Sequence, residues 1–284
     1  MHLTKPTAEL FVPDNTPLAE ALARTTELAV GAHQDDMEIM AYHGIARCFG
    51  RADRWFSGIV VTNGAGSPRQ GHYAALSEEQ MLLTRRREQK KAAVLGEYAA
   101  VALLDHPSPE VRDSTNPSPT EDLLALLEAT RPQVVYTHNL ADKHDAHVAV
   151  ALRTLSAVRG LPPEMRPQRL LGCEVWRDLD WLADGDKVAL AVGERENLAA
   201  ALLGLYDSQI EGGKRYDLAA VGRRRAHATY HDPLATDAAS QLTFAMDLTP
   251  LVADPSLDPW QFLFEHIERF RQDCRERFQR LGSL

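Results

Sequence analysis

Cysteine is scarce in this sequence, with three in 284 residues. Cys48, Cys173 and Cys274 lie far apart, are odd in number and form no Cys-x-x-Cys pair, so neither a disulfide framework nor a cysteine zinc knuckle is indicated. Reduced, structural thiols in a cytoplasmic protein are the plain expectation. The N-terminus, Met1-His2-Leu3-Thr4-Lys5-Pro6, lacks the apolar core of a signal peptide, and no stretch approaches the ~20 apolar residues of a membrane span. Positive charge is short as well: 31 Lys and Arg face 40 Asp and Glu, a net charge of -9. A nucleic-acid binder shows the opposite, a basic footprint, and an anionic membrane would repel such a surface. Repeats, low-complexity tracts and a clean domain boundary are also missing.

What remains describes a globular enzyme-sized chain. With 44% hydrophobic and 25% charged residues, it can bury a full core. Short apolar runs read as strands at Leu28–Ala32, Phe56–Thr62, Ala100–Leu104, Gln133–Thr137, Leu170–Trp176 and Lys187–Val192. Helical patterns fall between them near Met37–Phe49, Ser77–Leu95, Thr120–Ala129, Ala146–Val158 and Arg195–Tyr206. Apolar strands alternating with helices imply an α/β fold, Rossmann-like, with a mostly parallel sheet covered by helices on both faces. Proline marks Pro107–Pro119 as a loop, and Gly160–Pro167 as another. From Gly212 the pattern loosens into an irregular and helical C-terminal portion. It closes on an amphipathic helix at Pro259–Arg280, in which Trp260, Leu263, Ile267 and Phe270 keep helical spacing. That helix leaves room for self-association.

Chemistry concentrates at two strand ends. Gly31-Ala32-His33-Gln34-Asp35-Asp36-Met37-Glu38 follows the first apolar run, and Thr137-His138-Asn139-Leu140-Ala141-Asp142-Lys143-His144-Asp145-Ala146-His147 follows another. Ligands of open α/β sheets bind at the carboxyl ends of strands, so these clusters can converge. Adjacent carboxylates repel, and a fold that keeps them together supplies a cation or proton. A catalytic zinc takes three imidazole or carboxylate ligands and an open position. His33 and Asp36 offer two, and His138, His144 or His147 the third.

The first octet resembles the AHPDDxE signature of the PIG-L/LmbE-like N-deacetylases, and Thr137 to His147 resembles their second signature, which ends in HPDH. Weaker likeness lies in Thr62-Asn63-Gly64, in Arg85 to Glu88 with Leu95-Gly96, and in Ser208-Gln209. The resemblance covers about residues 26–210 of a single domain spanning 1–284, with 211–284 as a C-terminal extension packing on it. It implies Zn2+, or another divalent transition metal, on His33, Asp36 and His147. Asp35 is then the general base, and a protonated His144 stabilises the oxyanion. The implied reaction is removal of an N-acyl group, most simply acetyl, from an amino sugar or related amide.

Two positions depart from that pattern. Gln34 replaces a proline, and Ala146 replaces an aspartate that supports a neighbouring histidine; Asp142 or Asp145 is the substitute at hand. Ala146 keeps open a metal- or sugar-binding member without turnover. A magnesium-dependent sugar-phosphate or nucleotide enzyme is the remaining alternative. Asn63, Gly64, Arg85 and Asp142 are the expected substrate-binding positions. Arg85-Arg86-Arg87 and Lys90-Lys91 otherwise read as a solvated face paired with Glu78, Glu79 and Glu88. Glu38 is either a supporting acid or a first-turn residue favoured by the helix dipole. Trp176, Trp181 and Tyr206 are aromatic surfaces a sugar ring can stack on.

Overall fold

The computed structural model describes residues 1–282. In chain order, β1 is Glu9–Phe11, α1 Leu18–Ala23, β2 Glu27–Gly31, α2 Asp36–Met40 and α3 Tyr42–Cys48. Then come β3 Phe56–Thr62, α4 Glu78–Leu95, β4 Ala100–His106, α5 Ser108–Arg112 and α6 Ser118–Thr130. The second half begins with β5 Val134–His138, α7 Asp145–Gly160, β6 Arg169–Cys173, β7 Lys187–Ala191 and α8 Glu196–Gly204. It ends with α9 Asp207–Ile210, α10 Tyr216–Tyr230, β8 Leu242–Asp247, α11 Thr249–Ala253 and α12 Pro259–Arg280.

The eight strands form one sheet in the order β1-β4-β3-β2-β5-β6-β8-β7. The five central strands, β4 to β6 in that order, run parallel; β1, β8 and β7 join antiparallel at the edges. Every residue of β2 and β3 is buried, as expected for strands covered on both faces. Side chains alternate between two cores: Leu28, Val30, Ile59 and Val61 pack toward α6 and α7, while Ala29 and Val60 pack toward α3 and α4. The chain builds β2, β3 and β4 outward, then crosses back to place β5 on the other side of β2. The strand order reverses there, and the crevice of a doubly wound sheet opens at such a switch point.

Several elements differ from the sequence expectation, each for a local or a distant reason. The expected helix Met37–Phe49 breaks at Ala41, because Arg224 Nη2 donates to the Glu38 and Ile39 carbonyls at 2.8 and 2.9 Å. A buried guanidinium thus takes acceptors the helix would use itself. Pro107–Pro119 is not all loop: Pro109 sits in the first turn of α5 and Pro119 in that of α6, where the missing N–H costs nothing. The stretch Gly160–Pro167 contains a single 3-10 turn at Pro163–Met165. The portion after Gly212 is more regular than expected, since it supplies α10, α11 and a strand, β8, between β6 and β7. Helix α12 has the expected limits, buries Leu263 and His266 and leaves Trp260 and Phe278 exposed. No described helix is long and apolar enough to cross a membrane.

Candidate metal centre

The loop after β2 turns sharply to enter α2. Asp35 caps that helix with φ +94°, a backbone state costly for a non-glycine residue and common where a site dictates geometry. The turn is tight: a β-carbon on Gly31 would sit 3.1 Å from the Asp36 Cβ. The His33 amide donates to Asp36 Oδ2 at 2.6 Å, which fixes the carboxylate under the imidazole.

Across the crevice, β5 ends at His138, and α7 opens with His144 as its cap and His147 in its first turn. His33 Nδ1 and His147 Nε2 lie 3.2 Å apart. The Asp36 carboxylate reaches His33 Nδ1 at 3.3 Å and His147 Nε2 at 3.5 Å. The two contacts use different oxygens, Oδ2 toward His33 and Oδ1 toward His147. Zinc–ligand bonds of about 2.0–2.1 Å at tetrahedral angles place ligand atoms about 3.3 Å apart, so His33 and His147 are at that spacing and the Asp36 carboxylate lies between them.

Two further imidazoles crowd the same place, and the metal-capable groups include His33, His144 and His147 as well as Asp36, His138 and His147. His138 is committed elsewhere, since its Nε2 accepts the Ala32 amide at 2.9 Å. The same nitrogen lies 3.4 Å from Asp36 Oδ2, so the Ala32 amide competes there with any metal for its lone pair. His144 Nδ1 accepts the Ala146 amide at 3.3 Å, so the ring's one proton in the neutral form sits on Nε2. Burial first, and then the nearby His33, lower the His144 pKa, which favours that neutral form over the protonated one expected from sequence.

The charges are arranged in opposite senses on neighbouring acids. Burial pushes the Asp36 carboxyl up, but His147, His138 and His33 outweigh it and hold it well below the usual range. Burial raises Asp35 well above that range; Arg85 opposes the rise, while Asp36, Glu38 and Glu88 add to it. Burial also lowers His147 to about 4, so its ring is neutral at pH 7, the form in which an imidazole can bind a metal. Such a split between adjacent carboxyls separates a charge-holding role from a proton-carrying one.

The expected substrate positions fall in different places. Arg85 is buried, with Nη1 3.4 Å from Asp35 Oδ2 and Nη2 donating to the Gln34 carbonyl. Its Nε donates to Gln34 Oε1 at 3.3 Å, and Gly64 abuts that same oxygen, where a β-carbon would lie at 2.3 Å. Gly64 and Arg85 line the cleft; Asn63 does not, and its Oδ1 caps a turn by accepting the Ala65 amide at 3.1 Å. Asp142 also stays behind the lining, with Oδ2 3.5 Å from His147 Nδ1 and accepting the Trp176 amide at 3.0 Å. Burial pushes its carboxyl up, but His147 and the His144 amide hold it at about 2. Asp145 points outward and is 83% exposed, 3.8 Å from Arg112.

The basic run on α4 is not the solvated face its sequence suggests. Arg86 pairs with Asp105 at 2.9 Å, Lys90 pairs with Glu9 at 2.7 Å, and Glu88 accepts both the Ser208 amide and hydroxyl at 2.7 and 2.6 Å. The sequence segments around Arg85–Glu88 and Ser208-Gln209 therefore meet in space. Glu38 is fully buried and accepts Gln89 Nε2 at 2.9 Å and the Tyr98 hydroxyl at 2.7 Å, a brace between α2 and α4. Trp176 lines the cleft, Tyr206 is core, and Trp181 belongs to a groove beside α12. The whole cleft encloses about 670 Å³, and sequence reasoning missed its Lys214–Tyr216 wall because no periodic pattern marks it.

Residues 28–158 match the model of a family described as PIG-L, GlcNAc-PI de-N-acetylase. Among solved structures the chain is similar to N,N'-diacetylchitobiose deacetylase from Pyrococcus horikoshii, with 14% identity, 81% of this chain and 86% of that one covered, and a TM-score of 0.62. It is similar to the conserved protein TT1542 from Thermus thermophilus, with 21% identity, coverages of 77% and 93%, and a TM-score of 0.58. GalB, the 4-carboxy-2-hydroxymuconate hydratase of Pseudomonas putida, gives 15%, 79%, 96% and 0.58 in the same order. These likenesses concern the fold. No curated protein sequence matches the chain significantly.

Proposed function

We propose that the chain, whose residues 28–158 match the PIG-L family model, is a zinc-dependent hydrolase that removes an N-acyl group, most simply acetyl, from an amino-sugar substrate. Hydrolytic N-deacetylation comes with the family; the zinc, the residue roles and the substrate are our reading. One observation carries it. His33 Nδ1 and His147 Nε2 lie 3.2 Å apart, and the Asp36 carboxylate faces both, Oδ2 at 3.3 Å from His33 and Oδ1 at 3.5 Å from His147. Two imidazoles and one carboxylate suit zinc better than magnesium, which prefers an all-oxygen shell.

His33, Asp36 and His147 would hold the zinc, which would supply Lewis acidity to make water nucleophilic near neutral pH and to polarise the amide carbonyl. Asp35 accepts a proton from the attacking water; burial raises its pKa, which makes it a stronger proton acceptor than an exposed carboxylate. His144 Nε2–H donates to the carbonyl oxygen as negative charge develops there. The C–N bond breaks, Asp35 passes the proton to the departing nitrogen, and the acid and amine formed leave as a carboxylate and an ammonium once the acid's proton reaches the amine. Arg85, itself anchored by donating to the Gln34 carbonyl, keeps Asp35 in place. Asp142 supports His147 from behind, in the role that Ala146 cannot fill.

We take the chain as one domain, because β8 from the C-terminal part is hydrogen-bonded between β6 and β7. The free thiols of Cys48, Cys173 and Cys274 suit a cytoplasmic setting. The fold also serves a hydratase in GalB, so substrate tests need an amide. Chelation should abolish release of acetate from N-acetylglucosamine conjugates, zinc should restore it and magnesium should not. Full activity after chelation would overturn the metal assignment.

A further inference from the structure

We infer that the substrate carries an anionic group, a carboxylate or a phosphate, which Lys143, Lys214 and Arg112 hold at the outer part of the cleft; this rests on the deacetylase reading of the inner part. The chain as a whole is acidic, with a net charge of -9. Its cleft reverses that balance. Of the charged residues lining it, Arg85 is matched by Asp35, and Asp36 faces the histidines. That leaves Arg112, Lys143 and Lys214 against Asp145 alone.

The three cations come from separate parts of the chain: the end of α5, the loop before α7 and the segment between α9 and α10. Asp145 offsets Arg112 only weakly, at 3.8 Å with both side chains exposed; Lys143 is exposed as well and Lys214 half-buried, which puts the three cations at the cleft mouth. Among the described residues, neither lysine has a carboxylate within ion-pair distance. Lys214 instead lies over the Trp176 ring, 4.8 Å from its centroid, and Tyr216 meets the same ring edge-on at 6.1 Å. Trp176 in turn stands 6.3 Å from His144. An aromatic wall thus links the acyl-cleaving groups to an unpaired ammonium. Three cations gathered in a concave site against one carboxylate raise the local concentration of anions and favour a ligand that neutralises them.

Three N-acetyl sugars test this: neutral N-acetylglucosamine, its 6-phosphate, and N-acetylmuramic acid with a carboxylate. The zinc-loaded protein should show kcat/KM at least about tenfold higher for one of the anionic sugars, the scale of a single charge-assisted contact. Preference for phosphate or for carboxylate identifies the anion. High salt should shrink the preference. A Lys143→Met, Lys214→Met double variant should lower the anionic-to-neutral ratio about tenfold or more, whereas Lys91→Met, on the far exposed surface of α4, should leave it alone. Equal turnover of all three sugars, or a ratio unmoved by the double variant, would overturn the anion assignment and leave the deacetylase reading standing. Calorimetric binding of glucosamine 6-phosphate against glucosamine, in wild type and double variant, covers the reverse case. If no sugar is hydrolysed but the phosphate still binds more tightly through the two lysines, the deacetylase reading fails and the anion site stands. If neither is seen, the site is overturned too.

Discussion

Asp142 lies 3.5 Å from His147 Nδ1, on the far side of the ring from the Nε2 that faces Asp36. The carboxylate is itself fixed by the His144 amide at 2.9 Å and the Trp176 amide at 3.0 Å. A carboxylate behind a metal-binding imidazole sets its tautomer and raises its basicity. Asp142→Asn is expected to weaken zinc binding by roughly tenfold to a hundredfold, read by competition with a chromogenic chelator. Asp145→Asn, at an outward-facing position, is expected to leave zinc affinity unchanged. Equal effects of the two would show that Asp142 does not support the site.

Arg85 and Asp35 form a buried pair, and removing one partner leaves the other charge uncompensated. Arg85→Met is expected to cost about 3–5 kcal/mol of stability in urea unfolding, with hydrolysis falling as Asp35 loses its position. Arg85→Lys should recover only part of either, because a single ammonium cannot reach Asp35, the Gln34 carbonyl and Gln34 Oε1 together. An unfolding curve for Arg85→Met that overlays wild type would mean the pair is not held as described.

Gly64 has φ +72°, and a β-carbon there would meet Gln34 Oε1 at 2.3 Å. Gly64→Ala must therefore strain the backbone and push Gln34 away from Arg85. The expected loss is about 1–3 kcal/mol, with a several-fold lower kcat/KM. Gly66→Ala, two residues on with nothing within 4 Å, is the matched control and should be neutral. A thermal-shift comparison of the two separates local strain from a general intolerance of this loop.

His43 gives the stability a pH dependence away from the metal ligands. Burial, and then Arg47 and Arg169, lower its pKa to about 4, against an ordinary value of 6.5. Its Nδ1 lies 3.0 Å from the Tyr136 hydroxyl, which donates to Glu27 Oε2 at 2.7 Å. The unfolded chain binds a proton below pH 6.5 that the folded one refuses until about pH 4, so folding stability falls as pH drops through that window. The contribution is at most about 3 kcal/mol across it. His43→Gln should flatten the unfolding free energy over the same range; an unchanged slope would show that His43 titrates normally in the fold.

What was legible in the sequence is what local chemistry decides. The cluster from His33 to Asp36 is contiguous, and its place at a strand end follows from the apolar run before it. Helix α4 starts at Ser77 because Ser77 and Gln80 form a capping box, and α12 starts at Pro259 behind the Asp258 cap. Distant contacts were not legible. Nothing near Ala41 says that Arg224 will take the Glu38 and Ile39 carbonyls and break the helix. Strand β8 has no alternation, since Leu242 to Met246 are all buried, and polar residues precede it. Asp142 could be named from sequence as a substitute for the acid missing at Ala146, but only the packing of its loop against β6 sets it behind His147.

Zinc content and amide hydrolysis, measured on the same dialysed preparations of wild type, His147→Ala and Asp35→Asn, test directly whether His33, Asp36 and His147 hold the metal while Asp35 only moves protons. Wild type should carry about one zinc per chain, as a three-ligand catalytic site does. His147→Ala should lose both metal and activity. Asp35→Asn should keep its zinc while hydrolysis falls by roughly 10²–10⁴-fold, the usual contribution of a general base. Zinc retained in His147→Ala, or lost from Asp35→Asn, would contradict that division of roles.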